Sequence, residues 1–79
     1  MEYKAGDIVY KLLPNHYEVL VKVIRYSDSN MRMYYCKILK VYNSTYRSFH
    51  SGQFHSFILE GHGTIKYIED KNMINKLLL

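Results

Sequence analysis

From Tyr17 to Ile24 the chain alternates. Tyr17, Val19, Val21 and Val23 fall on one face, with Glu18 and Lys22 on the other. Period-two alternation in β-branched and aromatic residues is the signature of a half-buried strand, because branched side chains are stiff at χ1 and fit a pleated surface. Ser27-Asp28-Ser29-Asn30 follows. These side chains can hydrogen-bond their own backbone, and Asn tolerates positive φ, so the chain can reverse there. A second β-rich arm then runs from Met31 to Tyr42. The pattern predicts a long antiparallel hairpin, Tyr17 to Tyr42, around which the rest of the chain is organised.

The second arm changes phase. Tyr34, Cys36 and Ile38 share a face, yet Leu39 and Val41 are the apolar residues of the next stretch. A bulge or sharp bend near Lys37–Leu39 puts both sets inside, the device by which a strand passes from one sheet of a small barrel to the other. The alternative, a strand covered on both faces, needs more covering chain than 79 residues supply.

The flanking segments are shorter. Gly6-Asp7 forms a turn into a strand, Ile8–Lys11, and Leu12-Leu13-Pro14-Asn15-His16 is a connecting loop, since Pro14 cannot donate to a ladder. Asn43–Thr45 is the next turn. The near-mirrored piece from Phe49 to Phe57 reads equally as a hairpin turning at Gly52, or as a loop around Gly52 followed by one strand, Phe54–Leu59. Gly61–Gly63 is a turn and Thr64–Ile68 a final strand. In the tail, residues 69–79, Asp70 is an N-cap, and Met73, Ile74, Leu77 and Leu78 share one helical face. A helix this short needs a surface to dock on. That face either plugs an open barrel end or serves a homodimer or partner groove, unless Leu77–Leu79 is an edge strand. The whole predicts one all-β domain over residues 1–79: a small barrel or sandwich of five or six antiparallel strands with a short C-terminal helix.

Lys4-Ala5-Gly6-Asp7-Ile8-Val9-Tyr10, followed by Tyr17-Glu18-Val19-Leu20-Val21-Lys22-Val23-Ile24, resembles the opening of SH3-like barrels of the KOW and Tudor kind. Those begin with a Gly-Asp turn, a short strand and a long alternating strand. The resemblance covers the first half of the chain and implies an SH3-like barrel. The chain lacks the Asp-Tyr-Gly segment of Tudor domains and the second glycine of a KOW motif, so no aromatic cage is carried over. The compact, Lys- and Tyr-rich composition also resembles small accessory proteins of phages that infect low-GC bacteria.

Composition narrows the function classes. The chain carries 11 basic and 7 acidic residues, a formal charge of +4, which favours anionic partners. The basic residues are scattered, unlike a nucleic-acid-binding tail. No apolar run approaches a membrane span, the N-terminus has no signal-peptide core, and the single cysteine permits no intrachain disulfide. The expected compartment is the cytoplasm. Cys36 reads as a small buried hydrophobe, with no glycine elbow or helix start to activate it. The histidines, 16, 50, 55 and 62, lack metal-ligand spacing, although a turn at Gly52 could bring His50 and His55 together. No phosphate-cradling loop is present. No cofactor and no enzymatic activity are expected.

The nine tyrosines are the most suggestive feature. Tyr10, Tyr17 and Tyr34 are expected in the core, with Tyr3, Tyr42 and Tyr46 near turns. Exposed tyrosine beside Lys and Arg suits base stacking or an anchor in a protein interface. The leading expectation is a non-enzymatic protein-binding module, a phage accessory protein that binds and modulates a host protein. The alternative is nucleic-acid binding by a basic, Tyr-rich hairpin surface that includes Lys22. The expected partner-binding residues are Arg25, Tyr26, Asn30, Arg32, Lys37, Lys40 and Arg47, with Arg25, Tyr26, Asn30 and Arg32 projecting from the hairpin tip.

Overall fold

The computed structural model describes residues 3–28, 30, 32–59 and 64–67. Four antiparallel strands form a curled half-barrel: β1 (Ile8–Leu13), β2 (Tyr17–Asp28), β3 (Met33–Ser44) and β4 (Phe54–Ile58). The backbone of a short segment, β5 (Thr64–Tyr67), runs antiparallel along β1, so the order across the sheet is β4-β3-β2-β1-β5. The described residues contain no helix, and so none long and apolar enough to cross a membrane. The tail, with Met73, Ile74, Leu77 and Leu78, lies outside the described residues.

The β2–β3 hairpin is the long element the alternation predicts. Its pairing breaks register four times. Leu39 and Tyr42 are extra residues on β3, and Ile24 and Ser27 are extra residues on β2. The Leu39 bulge falls within the predicted bend. It leaves Ile38 opposite Val21 and Val41 opposite Val19, so both face the core, while Lys40 passes to the other face opposite Leu20. Leu39 is half-buried and its carbonyl accepts a 2.7 Å hydrogen bond from Ser51 Oγ. A bulge leaves backbone groups out of the ladder, and this side chain supplies one replacement partner. Bulges also bend and twist strands, which curls a four-stranded sheet toward a barrel.

The concave face holds the core: Val9 of β1, Val19, Val21 and Val23 of β2, Tyr34, Cys36 and Ile38 of β3, Phe57 of β4, and Phe49 and Leu59 beside it. The turns follow their residue chemistry. Lys4-Ala5-Gly6-Asp7 closes with Asp7 N–H donating to the Lys4 carbonyl, and Gly6 has φ 92°. Leu13-Pro14-Asn15-His16 closes likewise, with proline second and Asn15 third at φ 67°, the pattern of a type II turn. β1 therefore extends two residues beyond the predicted Lys11, and Pro14 sits in the turn. Around Gly52 the chain forms a loop closed by Gln53 N–H on the His50 carbonyl, then the single strand β4. Of the two readings of Phe49–Phe57, the loop-then-strand is the one observed.

Candidate functional site

The register of β2, β3 and β4 builds two cross-strand rows on the convex face. Lys22 pairs with Lys37, which pairs with Phe54; Arg25 pairs with Tyr35, which pairs with Ser56. Lys22, Arg25, Lys37 and Phe54 are exposed, Phe54 at 48%. The Tyr35 and Phe54 rings stack nearly parallel, 12° apart with centroids at 5.6 Å, and the Arg25 guanidinium lies 5.0 Å from the Tyr35 ring centre. Stacking and cation–π contact hold these long side chains in defined places on the part of the face nearest the tip. Asn30 and Arg32 are exposed at the hairpin tip, Arg32 with φ 54°. No described carboxylate stands in the two rows: Asp7 Oδ2 accepts from Lys4 N–H, and Glu18 lies at the far end of the hairpin.

Three expected partner-binding residues fall elsewhere. Tyr26 turns inward, half-buried, and stacks on Tyr34 with centroids at 4.8 Å. The extra residue at Ile24 reverses the parity, so Arg25 faces out and Tyr26 in. Lys40 shares the convex face with Lys37 but is half-buried, with its ammonium 5.3 Å from the Tyr42 ring centre. Arg47 is exposed in the loop after β3, at the end opposite the hairpin tip.

Near Lys40, Tyr10 donates a hydrogen bond to Glu18 Oε2 and its ring lies 5.8 Å from that of Tyr42. That bond, then burial and the Glu18 charge, push the Tyr10 hydroxyl up to about 12. Tyr10 thus lies on the convex face, not in the core as its alternation suggests. Tyr34 is buried and Tyr17 packs against the core, as expected.

The inward position on β1 belongs instead to Lys11, which is 1% exposed. Its ammonium donates to the Ile58 carbonyl, tying β1 to β4 across the open side of the half-barrel, and burial pulls its pKa below the ordinary lysine value. Lys11 forms part of a cleft of about 370 Å³ between the end of β1 and β4, walled by Tyr17, Tyr46, Phe49 and Phe57. Nothing in the expected site points to this cleft. Its only sequence signal is that Val9-x-Lys11-x-Leu13 alternates as well as Ile8-x-Tyr10-x-Leu12.

His55 packs edge-on against Phe49 and Phe57, both at 4.9 Å, and His50 and His55 are both exposed. Among the described residues no group of His, Cys, Asp and Glu could hold a metal ion. Cys36 is buried, and burial pushes its thiol up to about 12, far from a reactive thiolate. No protein-family model, curated protein or solved structure matches this chain.

Proposed function

We infer that this chain is a non-enzymatic binding module that takes single-stranded nucleic acid on the convex face of β2–β4. One observation carries the reading: the two cross-strand rows set exposed cations beside an exposed aromatic ring, with no described carboxylate among them. Lysine and arginine neutralise phosphates, and a flat ring offers a stacking surface that a base can use once it is unstacked from its neighbours. Lysine is depleted in protein interfaces, which weighs toward a phosphate backbone here. The test is fluorescence anisotropy with a labelled oligo-dT strand. Engagement of Lys22, Arg25, Arg32 and Lys37 gives a log–log salt slope of about −3, from roughly 0.7 per phosphate. Lys22→Glu with Lys37→Glu abolishes the binding. A flat salt dependence, or an unchanged affinity in that variant, overturns the reading.

A protein partner is the second reading, in the manner of a phage accessory protein that modulates a host protein. It is favoured by Tyr46, 43% exposed beside the aromatic cleft at the end away from the tip. A pull-down with the purified chain that survives nuclease and is lost with Tyr46→Ala supports it. For the fold, the half-barrel is consistent with an SH3-like barrel of five or six strands whose end is closed by the tail as a helix. Deleting 73–79 then lowers stability sharply in a monomer. Conversion of a dimer to a folded monomer would instead make the tail a homodimer face.

A further inference from the structure

β4 stands at one end of the sheet, with β3 as its neighbour. Ile38 N–H donates to the Gln53 carbonyl and Gly52 N–H to the Ile38 carbonyl, each at 2.7 Å, so Gln53 turns its carbonyl toward β3. Along an antiparallel strand the side on which successive residues bond alternates. His55 and Phe57 therefore bond to β3, and Phe54, Ser56 and Ile58 turn their N–H and C=O groups to the outer edge. The Ile58 carbonyl fits this parity, since it accepts from Lys11 of β1. Lys11 thus covers the Ile58 end of the edge. At the other end Phe54 and His55 are exposed, and among the described residues nothing hydrogen-bonds to the outward groups of Phe54 or Ser56. A row of such groups is a template for another strand. Proteins block these edges with lysine, proline or an inward-pointing charge, and Phe54-His55-Ser56-Phe57-Ile58 carries no lysine, arginine, carboxylate or proline.

We propose that β4 pairs antiparallel with β4 of a second copy of this chain, about a two-fold axis at His55. Phe54 then lies opposite Ser56 of the second copy, and the two His55 residues face each other. Phe54 and Ser56 exchange about four backbone hydrogen bonds across the axis. The same segment serves both sides, as a two-fold interface requires. This register leaves Ile58, and its bond to Lys11, outside the pairing. It also continues the convex rows, which is why the occupant is a copy and not a foreign strand. Lys22, Lys37 and Phe54 run on into Ser56, Tyr35 and Arg25 of the second copy, and the mirrored stripe lies beside them. The Lys37 residues of the two copies stand three strand spacings or more apart, about 14 Å, beyond the screening length of about 8 Å at physiological salt.

The test is sedimentation equilibrium of the full chain, without nucleic acid, from about 1 μM to 1 mM. A short edge-to-edge interface gives a weak dimer, with a Kd of about 10–100 μM. Each copy carries a charge of +4, so added salt strengthens the dimer, whereas it weakens oligo-dT binding. Ser56→Pro removes an outward N–H, a change that an edge strand tolerates, and abolishes the dimer while leaving the urea midpoint of the monomer nearly unchanged. His55→Lys, at an exposed position, sets two ammonium groups face to face and raises the Kd about fivefold. If neither variant folds, the wild-type chain decides: a half-filtered NOE spectrum of mixed carbon-13-labelled and unlabelled copies shows contact between the two His55 Hα protons. Lys22→Glu with Lys37→Glu, which abolishes oligo-dT binding, leaves the chain dimeric, so the dimer and the nucleic-acid reading fail or stand separately. A monomer throughout the range overturns the proposal, whether the edge is bare or held by another segment of the chain. So does a dimer that survives Ser56→Pro, or one that lacks the His55 contact.

Discussion

The two faces of the β2–β3 hairpin share a backbone and differ in almost everything else. On the concave face, Val19, Val21, Val23, Tyr34, Cys36 and Ile38 are buried to 1% exposure or less. On the convex face near the tip, Lys22, Arg25 and Lys37 stand in water, and order comes from ring stacking and cation–π contact. The concave face is bound by packing, where each methylene counts. The convex face is mixed: away from the tip Leu20 is fully buried between Tyr10 and Lys40, while near the tip order comes from the register that sets which residues stand beside each other. Near the tip, stability and recognition therefore reside on opposite sides of the same strands and can be altered independently.

Removing a concave ring is the strongest way to break that separation. Phe57→Ala, at a site 2% exposed, costs about 3–5 kcal/mol, a large share of the stability of a domain this small. Urea denaturation should show a collapsed midpoint, and oligo-dT binding should disappear with the fold. Phe54→Ala is the matching change on the convex face. It removes one base platform, about 1–3 kcal/mol of binding, and moves stability by about 0.5 kcal/mol or less. If the urea midpoint falls as far as in Phe57→Ala, the two faces are not independent. Asn15→Val tests the β1–β2 turn that sets the register. A β-branched residue at φ 67° costs about 1–2 kcal/mol, while Asn15→Gly is nearly neutral.

The smallest effect is the pH response of His55. Burial lowers its pKa in the folded chain, so the unfolded chain binds the proton more readily. Stability is then full above the unfolded histidine value of about 6.5 and falls as pH drops through it. His55→Gln should flatten that part of the profile. An unchanged profile would assign the acid sensitivity to other groups.

The hairpin was legible in the sequence because its alternation is long and its turn chemistry strong. The bend was legible because Ile38 and Val41 cannot otherwise both be inside. Tyr26 was misplaced because proximity to the tip was taken for exposure, whereas the extra residue at Ile24 had reversed the parity. Bulges leave no distinct residue signature here; the Leu39 bulge betrayed itself only through two apolar sets out of phase. Tyr10 was misplaced for a different reason. It sits in an apolar alternation with Ile8 and Leu12, which suggested the core. Only pairing with β2, which puts Val9 against Val21 and Lys11 against Val19, reverses that reading. The convex rows were half legible: Lys22, Arg25 and Lys37 stand out in the sequence as basic residues of the hairpin, but their alignment with Tyr35 and Phe54 depends on register between three strands.

The bond from Lys11 to Ile58 sets an order of events in time. It joins residues 47 apart in sequence, whereas β2 and β3 are joined by the hairpin turn alone. Local hairpins form in about 1–10 μs, while a contact across a long loop must first overcome the entropy of closing it. Among the described strands, the β2–β3 ribbon is therefore expected to form before the lysine strut, which must wait for β4. The same strut should yield early in transient opening, so native-state hydrogen exchange should find the amides of β4 exchanging ahead of those at the centre of β2.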